Sequence, residues 1–101
     1  MNVLLVHGSV ETSCAPAYLA ALRKAALAGY DELAHGVLNG VERAVMLLEK
    51  DPLFNAGYGS VLNLEGDVEM DAAIMDGLTG RCGAVGAIRK VCNPICVARK
   101  V

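Results

Sequence analysis

The sequence predicts an α+β fold. Three observations predict it. Residues 15–35 and 37–50 repeat apolar side chains at helical spacing; "DVEMDAAIMD" and "CGAVGAIRKV" have extended character, the first with one dry face; and "NPICVARKV" opens as a helix. Periods of 3.6 and 2 in separate blocks of one chain put helices and strands in separate blocks of the fold. No linker, internal repeat or low-complexity segment divides residues 1–101, which read as one domain.

The opening "NVLLVHGS" is a short apolar run that stops at Gly8 and Ser9, so it reads as a buried strand ending in a turn. From about Ala15, the residues Tyr18, Leu22, Ala25, Ala26, Gly29 and Leu33 form one stripe, with Arg23, Lys24, Asp31 and Glu32 off it. This first helix is expected to stop at His35 and Gly36, because glycine tolerates the left-handed conformation at a helix C-terminus. Val37, Val41, Ala44, Val45 and Leu48 form the next stripe, while Glu42, Arg43, Glu49 and Lys50 are expected on the surface. Pro52 ends this second helix near Lys50, since it pushes Asp51 out of the helical region and lacks an amide hydrogen. The two helices are expected to pair antiparallel and cover one face of a sheet.

"SVLN" and "DVEMDAAIMD" then read as extended, separated by the turn composition of "LEGD". Along the second, Asp67, Glu69, Asp71, Ala73 and Met75 point one way, and Val68, Met70, Ala72 and Ile74 point to a dry face. "GLTGR" is a further turn, and "CGAVGAIRKV" a third extended segment. In "NPICVARKV", Asn93 takes the N-cap position and Pro94 the first helical position. About two turns of amphipathic helix are marginal alone, which suggests a longer protein.

The bulk numbers bound the function. A chain of 101 residues supports one modest core. With 54% apolar residues and a mean hydropathy of +0.43, part of its surface is expected to be covered. A net charge of -2, a pI near 5.6 and no basic run exclude a nucleic-acid footprint. Met1 leads directly into the strand-like run without a basic leader, and that run is too short for a signal or membrane segment. Cys14, Cys82, Cys92 and Cys96 are few and irregularly spaced, so a reduced, cytoplasmic protein with free thiols is expected, with no membrane partner. His7 and His35 are isolated, and no second Cys or His pair completes a zinc site with Cys92 and Cys96.

Strand, "HGS", then helix invites a phosphate cradle at a helix start, but neither glycine-rich phosphate motif occurs and a tight turn explains it. "EGDVEMD" invites calcium or a glycosidase pair. Gly66 is misplaced for a calcium loop, and same-face strand carboxylates suit a solvated face or structural hydrogen bonds. Cys82, Thr12 and Thr79 have no adjacent base, so no nucleophile has its activator in this chain. "FNAGYGS" is the most distinctive stretch. Gly57 and Gly59 permit close approach, Asn55 can donate and accept, and such a segment can offer carbonyl oxygens to a hard monovalent cation or pack against a second element.

"LEKDPLFNAGYGSVLN", "GDVEMDAAIMDG" and "CGAVGAI…NPICVAR" occur in the order and spacing of the isoaspartyl peptidase and plant-type L-asparaginase family, and the chain resembles its members. The resemblance is close over residues 41–99, and "VLLVHGS" is similar to the family's "HGG" strand and loop. It implies an αββα four-layer sandwich of the N-terminal-nucleophile hydrolases, built by a precursor that cleaves itself into α and β subunits. Residues 1–101 would then be a partial, N-terminal portion of the α subunit, expected to be inactive alone. The family's "GTVGAVA" cleavage site, its nucleophilic threonine and its substrate-binding Arg and Asp correspond to positions beyond Val101.

In such an enzyme the new N-terminal threonine attacks an amide or isopeptide carbonyl of L-asparagine or a β-aspartyl dipeptide. Its own α-amine, with a pKa of about 8, takes the proton. The resemblance implies no organic cofactor, a structural sodium ion, a β subunit as partner and a homodimer of αβ units. It assigns no catalytic residue to this chain. The supporting positions are Asn55, His7 and Gly8, and the implied sodium ligands are the backbone carbonyls of Leu48, Glu49, Asp51, Phe54, Ala56 and Tyr58. Ser9 replaces the second glycine of "HGG", where a Cβ would crowd the loop, and the segment from Gly36 to Val41 is shorter than the family's "GGSALDAV", losing an N-cap. A rival reading is a non-catalytic assembly or binding fragment that pairs with an intact homologue through exposed sheet edges, or an inactive truncated paralogue. A weaker one is a small nucleotide-binding βα domain.

Overall fold

The computed structural model describes residues 1–8 and 15–101. Ser9, Thr12 and Cys14, and the expectations attached to them, lie outside the described residues. Helix α1 spans Pro16–Glu32, α2 Val37–Lys50 and α3 Pro94–Lys100, and strands β1 (Met70–Met75) and β2 (Cys82–Ile88) form an antiparallel pair. The α+β class is therefore as expected. Among the described residues, one two-stranded sheet and the helices fill a slab 44 × 35 × 19 Å.

Pro16 at the first helical position pre-sets φ for α1, and a run of alanines and long unbranched side chains sustains it. The helix tightens into a 3-10 turn at Leu33–His35 and stops at Gly36, whose φ of 128° no other residue adopts readily. No side chain caps α2; Asn39 instead donates from Nδ2 to the His35 carbonyl at 2.7 Å. The chain leaves α2 at Asp51, which is extended ahead of Pro52 as its ring requires. Ala25 and Gly29 of α1 are buried, as are Gly40 and Ala44 of α2, so the two helices meet through small side chains.

The expected dry face of β1 is observed. Met70 and Ile74 are buried and Ala72 partly so, while Asp71, Ala73 and Met75 are exposed. Ile74 joins Ile95 and Ala98 of α3 in the core, flanked by Leu38, Val41, Val45 and Met46 of α2. The sheet face is thus covered by α3, with α2 packed behind. Helix α1 packs on α2 and not on the sheet, which corrects the expectation that both long helices cover it.

Two further expectations are corrected. Residues 1–8 are not a buried strand: among the described residues no strand pairs with them, and Val3 and Leu5 are 77% and 91% exposed. They keep the alternation of an extended segment, with Leu4, Val6 and Gly8 partly covered, but lack the neighbouring strand that would complete a ladder. "SVLN" is likewise outside the sheet; its Asn63 instead builds a turn, accepting at Oδ1 from the amides of Glu65 (3.0 Å) and Asp67 (2.9 Å).

Candidate functional site

The distinctive stretch folds as a bend between α2 and β1, and its glycines explain its order. A Cβ on Gly57 would overlap the Glu49 carbonyl oxygen and stand 2.8 Å from the Glu49 Cβ, and its φ is +54°. A Cβ on Gly59 would overlap the Phe54 carbonyl oxygen and stand 2.8 Å from that of Pro52. The 3-10 turn Gly57–Gly59 is therefore pressed against carbonyls of the segment that leads into it.

Phe54 anchors the bend. It is 2% exposed, and its ring meets Tyr18 edge to face with centroids 6.0 Å apart. A Cβ on Gly8 would stand 2.6 Å from the Phe54 ring and 2.7 Å from Leu22, so the opening segment reaches the bend only because position 8 has no side chain. The structure thus brings Gly8 to the residue before Asn55, whereas His7 is exposed. Asn55 is also exposed, and its Oδ1 accepts from the Val61 amide at 2.9 Å, which closes the bend.

Of the six residues whose carbonyls were expected to face sodium, Leu48 accepts from Asp51 N (3.3 Å), Asp51 from Phe54 N (3.3 Å), Phe54 from Ala56 N (2.8 Å) and Ala56 from Gly59 N (3.1 Å). A carbonyl oxygen has two lone pairs, so each keeps one for a further partner. Together with the Glu49 oxygen against Gly57, this is an oxygen-rich bend suited to a hard cation. Tyr58 is exposed. Among the described residues no group of three His, Cys, Asp or Glu side chains could hold a metal.

Glu49 was expected on the surface and is instead 3% exposed. Its Oε2 accepts from Ile95 N at 3.1 Å and its Oε1 from Asn93 Nδ2 at 3.5 Å. Burial pushes its carboxyl above the ordinary value, against the lowering effect of those two hydrogen bonds. Asn93 does occupy the N-cap position, but its side chain makes no cap; the amide points to Glu49 and to the Met46 carbonyl (3.3 Å). The signal for burial was in the spacing. Glu49 lies four residues after Val45 and eight after Val41, on the apolar stripe itself.

The acidic run is structural. Asp71 Oδ1 accepts from Ala87 N at 2.8 Å where β2 carries an extra residue between the pairs Met70–Ile88 and Ala72–Val85. The carboxylate thereby satisfies an amide left unpaired by the bulge, at a residue with φ of 51°. Arg89 binds Asp67 (2.9 Å) and Glu69 and holds the Glu69 carboxyl below the usual range.

Two clefts border the bend. One of about 410 Å³ lies between it and β1, lined by Asn55, Gly57, Glu69, Asp71 and Ile95 among others. The other, of about 780 Å³ and mostly apolar, is lined by Tyr58, Val68, Met70, Val91 and Cys92 as well as Glu49. Cys82, Cys92 and Cys96 are free thiols, and no helix of the described residues is long and apolar enough to cross a membrane.

A family model described as Asparaginase matches residues 1–101. The chain is 49% identical over 104 residues to an isoaspartyl peptidase/L-asparaginase of Xenopus laevis, covering 98% of this chain and 34% of that protein. It is 51% identical over 106 residues to a plant-type L-asparaginase of Pyrococcus abyssi, covering 100% of this chain and 35% of that protein. To an isoaspartyl peptidase/L-asparaginase of Rattus norvegicus it is 48% identical over 105 residues, covering 98% and 32%. The chain spans about a third of the length of these curated relatives. The match takes in the opening segment, the glycine-braced bend and the hairpin with its following helix alike, and the chain belongs to the asparaginase family.

Proposed function

We propose that residues 1–101 form the N-terminal part of a threonine-dependent amidohydrolase that cleaves L-asparagine and β-aspartyl dipeptides after self-cleavage. The observation that carries this reading is the bend: Gly57 and Gly59 pressed on backbone carbonyls, and Phe54 seated under Gly8, in a chain about half identical to isoaspartyl peptidase/L-asparaginases. In this reading the chain contributes one sheet and its helices to an αββα sandwich, as a partial α-subunit portion of that domain. It has no hydrolytic activity alone. The nucleophilic threonine, whose α-amine serves as its base, comes from the β subunit.

The residues of this chain then have supporting work. Asn55 and the Gly8 contact hold the bend near the reacting threonine, with His7 at the end of the opening segment. The carbonyls of Leu48, Glu49, Asp51, Phe54, Ala56 and Tyr58 would hold a sodium ion, and the oxygen-rich bend supports that fit. When bound, the ion would offset the carbonyl dipoles and stiffen the bend. No organic cofactor takes part. The partners in this reading are a small-molecule or dipeptide substrate, the β subunit and a second αβ unit in a homodimer, in the cytoplasm, where thiols such as Cys82 and Cys92 remain reduced.

The test is a mass measurement and an L-asparagine hydrolysis assay on the full-length gene product. Two subunits and released ammonia support the reading. An intact, inert chain overturns it in favour of a non-catalytic assembly fragment, which the outer edges of β1 and β2, unpaired among the described residues, would then serve.

A further inference from the structure

Glu49 is the buried charged side chain among the described residues, and the hydrolytic reading uses only its backbone oxygen. Its atoms touch both the bend and the start of α3. The carbonyl oxygen and Cβ lie against Gly57 of the bend; Oε2 accepts from Ile95 N at 3.1 Å, in the first turn of α3; and Oε1 accepts from Asn93 Nδ2 at 3.5 Å. Burying a carboxylate costs several kcal/mol unless its oxygens are satisfied, so a surface-facing residue would be the cheaper way to end α2. Helix α3 has no side-chain cap of its own, and the carboxylate supplies the missing acceptor from another element.

The hydrogen bonds within the bend are short in range, donated by the amides of Leu53 to Asp51 Oδ1, Ala56 to the Phe54 carbonyl and Val61 to Asn55 Oδ1, and those made by side chains are exposed. Phe54 fixes the bend to α1. Nothing in those contacts sets its place relative to the sheet. We propose that the Glu49 side chain is a positioning residue that locks the 51–59 bend to the start of α3, so that the α3 and β1 block sets where Asn55 stands. Two acceptor oxygens are required for this. A glutamine would satisfy Ile95 N but turn a donor toward Asn93 Nδ2, so it keeps the volume and loses one of the two ties.

This inference rests on the proposed function only for its catalytic consequence. The deciding experiment is hydrogen exchange by mass spectrometry on the full-length gene product, comparing wild type with Glu49→Gln, and with Glu42→Gln as a control. Glu42 also joins α2 to α3, through Arg99, from a position seven residues before Glu49 in α2. In Glu49→Gln, exchange within residues 53–61 and 94–97 is expected to rise about tenfold relative to wild type, with residues 70–75 unchanged. Glu42→Gln is expected to leave 53–61 as in wild type. Equal exchange at 53–61 in Glu49→Gln and wild type, or an equal rise in both variants, overturns the proposal; so does a bend already unprotected in wild type. Should the product hydrolyse L-asparagine, Glu49→Gln is expected to lower kcat with KM within about twofold. An inert product with the expected exchange pattern defeats the proposed function and leaves the lock standing.

Discussion

Gly29 of α1 and Gly40 of α2 meet backbone to backbone. A Cβ on Gly29 would stand 2.7 Å from the Gly40 carbonyl oxygen, and one on Gly40 would stand 2.9 Å from that of Gly29. A glycine inside a helix ordinarily costs about 1 kcal/mol relative to alanine. Here the sign reverses, because the new methyl of Gly29→Ala would also meet Ala44 Cβ and Leu4 Cδ2, each at 2.8 Å. The substitution is expected to destabilise by about 1–3 kcal/mol. A urea midpoint that rises instead would show that the helices separate without loss.

Gly57 and Gly77 make a second comparison. Gly57→Ala must move the Glu49 carbonyl and hold a left-handed φ, whereas nothing lies within 4 Å of a Cβ at Gly77. The first is expected to cost about 2–4 kcal/mol, and the second to stay within about 0.5 kcal/mol of wild type. Denaturant titrations of both variants decide it, and similar midpoints would remove the close packing claimed for the bend.

Asn55 should act through its acceptor oxygen. Asn55→Asp keeps an oxygen for the Val61 amide, and Asn55→Ala does not. Alanine is expected to cost about 0.5–1.5 kcal/mol, with aspartate closer to wild type. Thermal melts that rank the two variants alike would count against the closure.

The hairpin turn is expected to be acid-sensitive. Hydrogen bonds from the Thr79 hydroxyl and the Leu78 amide hold the Asp76 carboxyl below its usual range. A depressed folded pKa means that the unfolded chain binds the proton first. The contribution is present above the unfolded value near 3.8 and is lost as pH falls through the folded one. Melting curves from neutral to acid pH should therefore fall less steeply for Asp76→Asn than for wild type in that range.

Thiol reactivity should follow burial. Cys82 and Cys92 are exposed, while burial, then the neighbouring Glu42, push the Cys96 thiol up. At about pH 8, iodoacetamide is expected to label Cys82 and Cys92 well before Cys96, because the thiolate is the reactive form. Peptide mapping that finds Cys96 labelled first would contradict that environment.

Much of the fold was legible because it follows local rules. Gly36, Pro52 and Pro94 mark helix boundaries, and the alternation from Met70 to Ile74 told the buried face of β1 from the exposed one. The bend stood out through Gly57, Gly59 and Asn55, whose residue types make sense only where backbones meet or amides need a partner. The opening segment misled, because an apolar run carries its own alternation but not the neighbour that makes it a strand. "SVLN" misled for the same reason.

What the sequence by itself determined is the order of elements, their ends, the dry face of β1 and the motifs that mark the family, since each depends on residues within a few positions of one another. Only the tertiary structure decided that Glu49 turns inward to hold Ile95, that Asp71 repairs the bulge at Ala87, and that α3 covers the sheet while α1 stays behind α2. Those outcomes join residues 16 to 46 positions apart. The period of α2 places Glu49 on the apolar stripe, but a carboxylate stays buried there only because the distant Ile95 amide and Asn93 side chain arrive to satisfy it, and no local period carries that second fact.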